Sequence, residues 1–599
     1  MKLFEIKLLS FISRAYNRFV EAQQVRMSNN FEGLPLLAAL GLVCGVVSGG
    51  LIILFRLVME GAAHQWLPNG NVESFEELSG PDRFLLCTAG GLIVGLILHF
   101  LKPKNRRVGV VHVIERLDYH QGYLPMKNAA VQFITAAISL LSGHSVGREG
   151  PNVHLGAAAG SALGRSLRVP NNSVRVLVGC GVAAAIAAAF NTPLAGVIFA
   201  MEVVIMDYTV IGFTPVILAA VSATTLTRLT FGDDTAFTMP ELEINSLQEL
   251  PIVALMGALI GCLAAAFIQI TLLASGLLAK RAIWIRTTLA GVITGTIAFA
   301  LPEVMGTGYD TVDNILLMQI SVATVVLLTF AKTITTAFAV GLGIPAGLIG
   351  PTLFIGAAAG GAIASAIGLI YPEIGSIAFY ATLGMAAMMA AVLQAPLAAL
   401  IYLLELTADH AIILPGMIAV ITASLITRVV FGKSSIYQHL MLAQGLDYRN
   451  SSLAKALRRI GVASVMERNI IQQPRMISRV DAEQILKLEP RWILLTHEDD
   501  ERKTCLLPAT DLARHLSELN ERELSEHDNT REQDLDLLKI PAKRLDTAGT
   551  TIVATLQEAH ELMQSEQCNV LFIRGAHGES KRRIYGVITR EHIESSYRV

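Results

Sequence analysis

The five residues Gly147-Arg148-Glu149-Gly150-Pro151 put a single carboxylate where an apolar run, Pro151–Leu163, begins. Proline is tolerated in a first helical turn, where its missing N–H would have had no partner, so Gly-Pro reads as a helix start. Such a start exposes unpaired N–H groups and a partial positive charge, which together bind an anion without any lysine. A glutamate tethered there fills the anion's place when ionised and vacates it when protonated. One side chain then acts as gate and proton carrier. The plainer reading is a glutamate that only caps its own helix, since acidic residues favour first turns. Arg148 reads as a structural partner of carbonyls or of a carboxylate in the same turn.

The elements that would position this group occur twice. Gly150-Pro151-x4-Gly156-Ala157-Ala158-Ala159-Gly160-x-Ala162 returns as Gly350-Pro351-x4-Gly356-Ala357-Ala358-Ala359-Gly360-x-Ala362. Gly181 lies twelve residues before Pro193, with Glu202 nine after; Gly384, Pro396 and Glu405 repeat both spacings. Two matched pairs in the same order indicate an internal duplication. Secondary transporters build midplane ion sites from such paired broken helices. The copies differ just before Gly-Pro, where the second has Leu348-Ile349 and nothing ionisable.

Of 599 residues, 53% are hydrophobic and 16% charged, and the mean hydropathy is +0.53. These values exclude an ordinary soluble enzyme and predict a polytopic membrane protein. Apolar stretches run from Leu36 to Val430, and the chain becomes charged from Met466 onward. Basic loops at Lys102–Arg107, at Arg165, Arg168 and Arg175, and at Lys280-Arg281 are placed in the cytoplasm by the positive-inside rule. The acidic join between the copies is placed outside, which gives the halves inverted topology. The reading is an interfacial amphipathic helix over 1–30, a first repeat over 31–231, an external linker over 232–250 and a second repeat over 251–446.

Residues 464–599 have a different pattern. Thr551-Ile552-Val553, an amphipathic helix over Leu556–Gln564, and strands at Asn569–Ile573 and Tyr585–Thr589 form one unit. A weaker copy runs from Val465 through Trp492–Leu495 to Asp511-Leu512. Between them Glu518–Asp536 is so charged that it reads as a solvated loop.

Gly147–Pro151 together with Asn191-Thr192-Pro193-Leu194-Ala195-Gly196, Gly343-Ile344-Pro345-Ala346-Gly347-Leu348-Ile349-Gly350-Pro351 and Gly432-Lys433-Ser434-Ser435-Ile436-Tyr437 resembles the CLC family of chloride channels and proton/chloride exchangers, of bacterial type. The resemblance implies an all-α polytopic membrane protein. It would be an inverted-repeat helical bundle with broken helices, carrying a cytoplasmic α/β pair of CBS domains. It implies chloride as the transported ion, protons as the second substrate of the exchangers, and a lipid-embedded homodimer with one pore per subunit. Leu194–Val204 and Leu397–Leu406 are the candidate interface. Glu149 is implied as the gate, with Arg148, Glu149 and Gly150 facing Leu348 and Ile349 across the anion. Tyr437 is implied as the hydroxyl donor to the central anion; the alternative is an interfacial anchor. The expected location is the inner membrane, with the N-terminus and the tail in the cytoplasm.

Three departures bear on mechanism. The family's central serine motif falls near Arg107-Val108-Gly109-Val110-Val111-His112-Val113, where there is no serine or proline. His112 is a tempting substitute, though a lone histidine there is more often structural. The exchangers' proton-transfer glutamate falls at Val203, leaving Glu202, which reads as structural because Glu405 is its repeat mate. Ile349 stands where phenylalanine is usual. These features lean toward a gated channel with little or no proton coupling. The alternative is an antiporter using Glu149 and a non-standard proton route. In the tail, CBS pairs hold an adenosine nucleotide with an aspartate three residues beyond Gly-h-h-Thr. Gly586-Val587-Ile588-Thr589 has His592 at that spacing, and the first copy, around Leu507–Asp511, is more degenerate, which argues against tight nucleotide binding.

Gly143-His144-Ser145-Val146-Gly147 also spells the Gly-x-Ser-x-Gly of serine hydrolases, and an intramembrane hydrolase is the rival reading. That elbow needs a preceding strand, and here an apolar helical run precedes it. Six cysteines without CxxC spacing read as buried thiols rather than disulfides or metal ligands. No cofactor, metal or nucleic-acid partner is expected.

Overall fold

The computed structural model describes residues 27, 33–233, 237, 239, 246–372, 374–446, 452–495, 505–526, 534–576 and 583–596. The expected interfacial helix over 1–30 lies outside them apart from Met27, as does much of the acidic linker. Two compact units are present. One comprises Pro35–Leu167 and Val174–Tyr448; the other includes Arg168–Ser173 and Arg449–Val599.

The larger unit is helical. Its first half contains Leu34–Trp66 (α1), Gly80–Phe100 (α2), Gly109–Tyr119 (α3), Met126–Leu141 (α4), Glu149–Ser166 (α5), Asn171–Phe190 (α6), Pro193–Phe199 (α7) and Val210–Phe231 (α8). Its second half contains Leu250–Leu277 (α9), Ile283–Ala298 (α10), Tyr309–Leu316 (α11), Val322–Leu342 (α12), Ile349–Gly368 (α13), Ile377–Leu393 (α14), Pro396–Thr407 (α15), Ile413–Leu425 (α16) and Ile436–Ala443 (α17). Among the described residues, eight helices are long and apolar enough to cross a membrane. The protein is a multi-pass membrane protein. Pro193 and Pro396 open α7 and α15 at positions where no N–H is needed. Wider π turns continue α7 over Ala200–Ile205 and α16 over Ile426–Val430.

The duplicated glycines have a common cause. A methyl group on Gly156 would lie 2.1 Å from the Gly181 carbonyl oxygen, and one on Gly181 would lie 1.9 Å from that of Gly156. Gly356 and Gly384 make the same crossing, at 2.2 Å in each direction. Backbone therefore touches backbone where α5 crosses α6 and where α13 crosses α14, as small residues permit in membrane bundles. These crossings bury the two Gly-Pro helices almost completely.

The second unit carries a six-stranded sheet. Its helices and strands are Ser452–Arg458 (α18), Val462–Val465 (α19), Ile470–Gln473 (β1), Met476–Ile477 (β2), Arg479–Leu486 (α20), Trp492–Leu495 (β3), Cys505–Pro508 (β4), Ala509–Glu526 (α21), Leu535–Asp536 (β5), Leu545–Thr551 (β6), Leu556–Ser565 (α22), Val570–Arg574 (β7), Ile584–Thr589 (β8) and Arg590–Ser595 (α23). The order is β1-β3-β4-β6-β7-β8. Each half is a parallel pair followed by an antiparallel strand, and the halves join through β4 and β6. The weaker copy expected from the sequence is therefore a full βαββα unit whose first strand is Ile470–Gln473.

The charged segment Glu518–Asp536 is not a loop throughout. Its start continues α21 to Glu526, and Leu535-Asp536 pairs with Met476-Ile477. Leu512 and Leu516 bury one face of α21 beneath a charged outer face, a helical period that the charge count hid. Cys262 is exposed on α9, whereas the other five thiols are buried and all six are free.

Because the glycine crossings leave no room for a methyl group, Gly181→Val and Gly384→Val should each destabilise the bundle by about 1–3 kcal/mol or more. Thermal unfolding in detergent, followed by size-exclusion, is the measurement. Unchanged unfolding in either variant would contradict the close crossing.

Candidate functional site

The two Gly-Pro helices begin at one point. The Gly147 N–H donates to the Gly347 carbonyl at 2.9 Å, and the Gly347 N–H donates back to Gly147 at 2.7 Å. This antiparallel bridge joins repeat mates, so α5 and α13 start beside one another and diverge. The bridge also uses up two strand-like N–H groups, leaving the first-turn amides of both helices facing the junction.

Glu149 folds into that junction. Its side chain is buried, with Oε1 accepting from the Tyr309 hydroxyl at 2.7 Å. Three glycines make the space. A β-carbon on Gly147 would meet Oε2 at 1.9 Å, one on Gly347 would meet it at 2.6 Å, and one on Gly350 would meet Oε1 at 3.0 Å. Oε2 itself has no protein donor. The carboxylate therefore occupies the space between two helix N-termini, where an anion would be stabilised by both. This goes beyond capping of one helix.

Arg148 is buried beside it, reaching the Ala189 carbonyl at 3.4 Å and lying 5.2 Å from the Tyr309 ring centroid. That geometry is structural, though its charge acts on the same carboxylate. Gly150, Leu348 and Ile349 stand where expected, at the two helix starts, and all are buried. Tyr437, near the start of α17, is buried and within electrostatic reach of Glu149.

Tyr309, absent from the sequence-derived site, is its closest polar contact. It opens α11 after Gly308, whose φ of +72° is a left-handed value that glycine adopts freely. Glu73 caps this helix, accepting from Tyr309 N at 2.7 Å and from the Thr307 hydroxyl. Lys332 of α12 holds the preceding loop, donating to the carbonyls of Val304, Met305 and Gly306 at 3.0–3.3 Å. Its ammonium also lies 4.6 Å from the Phe354 ring centroid. A cavity of about 330 Å³ reaches Arg148 and Tyr309 and is lined by Arg56, Glu73, Asp310 and Asp313. Tyr402, with a buried hydroxyl that has no protein partner, is also within electrostatic reach of Glu149. No sequence signal marked Tyr309, whose repeat mate, Gly109, has no side chain.

Glu202 has a structural task. Its carboxylate accepts from the N–H groups of Leu397 and Ala398 at 3.2 and 2.7 Å, capping α15. Glu405 returns the contact, accepting from Leu194 and Ala195 at 2.8 Å each and capping α7. Each repeat caps the other's proline helix. Val203 is buried. At the position of the family's central serine, α3 begins at Gly109, whose N–H donates to Gln132 at 2.6 Å. His112 is not alone: its Nδ1 lies 2.9 Å from Nε2 of His154. Ser145 follows helix α4 rather than a strand and bonds Thr336 at 2.9 Å, so nothing supports the hydrolase reading.

The model of the voltage-gated chloride channel family matches residues 90–428 of this chain. The chain belongs to that family. It is 34% identical over 362 residues to a ClcB-like chloride channel protein of Ralstonia nicotianae, covering 59% of this chain and 84% of the relative. It is 29% identical over 449 residues to the H(+)/Cl(-) exchange transporter ClcA of Vibrio cholerae, covering 73% and 94%. A solved slow cyanobacterial Cl-/H+ antiporter superposes with a TM-score of 0.61 at 22% identity, covering 69% of this chain and 99% of that one. A eukaryotic CLC transporter covers 93% of this chain and 97% of its own at a TM-score of 0.56 and 18% identity. The fold is that of the CLC transporters.

Two outcomes follow from the contacts. Tyr309→Phe removes a charge-assisted hydrogen bond of about 1.5–3 kcal/mol; with Glu149 as the gate proposed below, anion efflux from proteoliposomes at neutral pH should rise by about tenfold to a hundredfold. Glu202→Gln and Glu405→Gln should lower the melting temperature in detergent by similar amounts, because both lose the same pair of caps. A loss confined to one of them would contradict the reciprocal role.

Proposed function

We propose that the protein moves chloride across the membrane through a pathway gated by Glu149, with weak or no proton coupling. The observation that carries this reading is the buried Glu149 carboxylate lodged between the starts of α5 and α13. Ionised, it fills the place of the anion; protonated, it loses its attraction to the two helix dipoles and yields the place to chloride. The names of the ClcB-like and ClcA relatives support chloride as the ion. Weak coupling is favoured by Val203, which has no titratable group, and by Glu202, whose two oxygens are committed to α15. A buried proton path through apolar side chains alone is costly.

A second reading, proton/chloride exchange by a non-standard route, is favoured by the buried pair His112 and His154. In either case Gly150, Leu348, Ile349 and Tyr437 belong to the anion site, and Arg148 steadies it. The proposal includes two inverted repeats over 31–231 and 251–446 and a CBS pair over 464–599. It places the protein in the inner membrane as a homodimer, with N-terminus and tail in the cytoplasm. Leu194 and Leu397, both half exposed, support an interface on α7 and α15. Nucleotide binding by the tail is not part of the reading. His592 accepts from the Thr589 N–H, and its own N–H donates to the Thr589 hydroxyl, so this residue is spent as a helix cap.

Glu149→Gln tests the gate. The variant mimics the protonated state, so chloride efflux from proteoliposomes should persist while its pH dependence flattens. An unchanged pH profile would refute the assignment of Glu149.

A further inference from the structure

Behind the gate, between α3, α4 and α5, lies a row of buried polar groups that anion binding does not use. Glu115 of α3 is buried, yet its Oε1 pairs with Arg107 and lies 4.0 Å from His120 Nε2. Both of those partners keep 46% of their side-chain surface exposed, so the buried carboxylate adjoins groups at the surface. One turn back along α3, on the same face as Glu115, is His112. Its ring stacks on His154 of α5, with centroids 5.2 Å apart and planes at 21°. His154 lies five residues beyond Glu149 on the same helix.

Four buried atoms along this row have no protein partner: Glu115 Oε2, Gln132 Nε2, Asn152 Oδ1 and His154 Nδ1. Buried polar atoms in native proteins are satisfied by protein or by ordered water, so each of these orphaned atoms is a place for such water. The groups acting on His112 are His154, Arg116, Arg107 and His120; burial alone governs His154. Arg165 and Arg107 act in turn on Arg116.

We propose that protons reach Glu149 from the face bearing Arg107 and His120 through Glu115, His112 and His154, in place of an acid at position 203. This rests on the reading of Glu149 as the gate and develops the second reading above, proton/chloride exchange by a non-standard route, in place of weak coupling. A proton taken up by Glu115 passes through water to Nε2 of His112, three residues back on α3. Nδ1 of the same ring gives up its own proton to Nε2 of His154, and His154 releases one from its orphaned Nδ1 to water. The Glu149 carboxylate accepts it through water. Each imidazole takes a proton at one nitrogen and loses one at the other, so no charge remains once both rings have reset. The single short N–N contact suits such a transfer, because one proton lies between the two nitrogens. The route runs along α5 and avoids Glu202, which remains a cap.

The test uses the full-length protein in proteoliposomes, with chloride and proton fluxes recorded together under a chloride gradient at equal pH. Wild type should move protons. Glu115→Gln, His112→Gln and His154→Gln should lower the ratio of proton to chloride flux about a hundredfold. Glutamine keeps a hydrogen-bonding side chain but cannot relay. Acidifying the opposite face should still speed chloride efflux in these variants, which shows them folded with Glu149 in working order. If a histidine variant fails to fold, Glu115→Gln at the mouth of the row decides alone. Absence of proton movement in wild type, or an unchanged flux ratio in the variants, overturns the route. An unchanged pH profile in Glu149→Gln instead overturns the gate, so the two failures are told apart.

Discussion

A carboxylate at membrane depth must be compensated, and here the Tyr309 hydroxyl, the Arg148 charge and the backbone at two helix starts share that compensation. Two helices of opposite repeats start at a common antiparallel bridge, Gly147 with Gly347, and the Glu149 carboxylate lies between those starts. The cost of a buried charge is met by dipoles fixed in place by the fold, which cannot follow the charge when it leaves. On the proposed reading such a site takes an anion of either origin, the tethered carboxylate or a free ion. It needs three glycines because side chains at 147, 347 or 350 would fill the space the anion requires.

The duplication reuses the same anchoring positions with different chemistry. Gln132 and Lys332 are repeat mates, and each holds the segment that leads into a short helix, α3 or α11. Gln132 accepts the N–H of Gly109 at the start of α3, whereas Lys332 donates to three carbonyls ahead of α11. Glu202 and Glu405 cap each other's half. Symmetric scaffolding thus leaves a few positions free to differ. Glu149 against Ile349 is one, and Gly109 against Tyr309 is another. The result is a site with a titratable latch in one repeat and its phenol partner in the other.

The glycine and proline pattern made the two helix starts, their repeat relation and the carboxylate between them legible in the sequence. Periodicity at that scale reports backbone contact, and Gly156, Gly181, Gly356 and Gly384 are in contact. The partners of the gate were not legible. Tyr309, Glu73 and Lys332 come from separate loops and helices, and only the chain's path through three dimensions brings them together. His112 looked solitary because its partner lies on another helix, 42 residues away. In the tail, the charge of Glu518–Asp536 masked the helical period of α21, since a half-buried helix needs only one apolar residue per turn.

The replacement at position 203 takes on physical meaning from the cap at Glu202. An acid at 203 would sit on the π turn after α7, next to a carboxylate already serving as the cap of α15. Two charges on adjacent residues in a half-buried turn repel, and only one of them has helix amides to answer it. Valine removes that conflict and lets Glu202 hold the two repeats together without competition. Any titratable relay must then lie off that turn. The only paired imidazoles among the described residues stand on α3 and on α5, the helix that begins at Glu149.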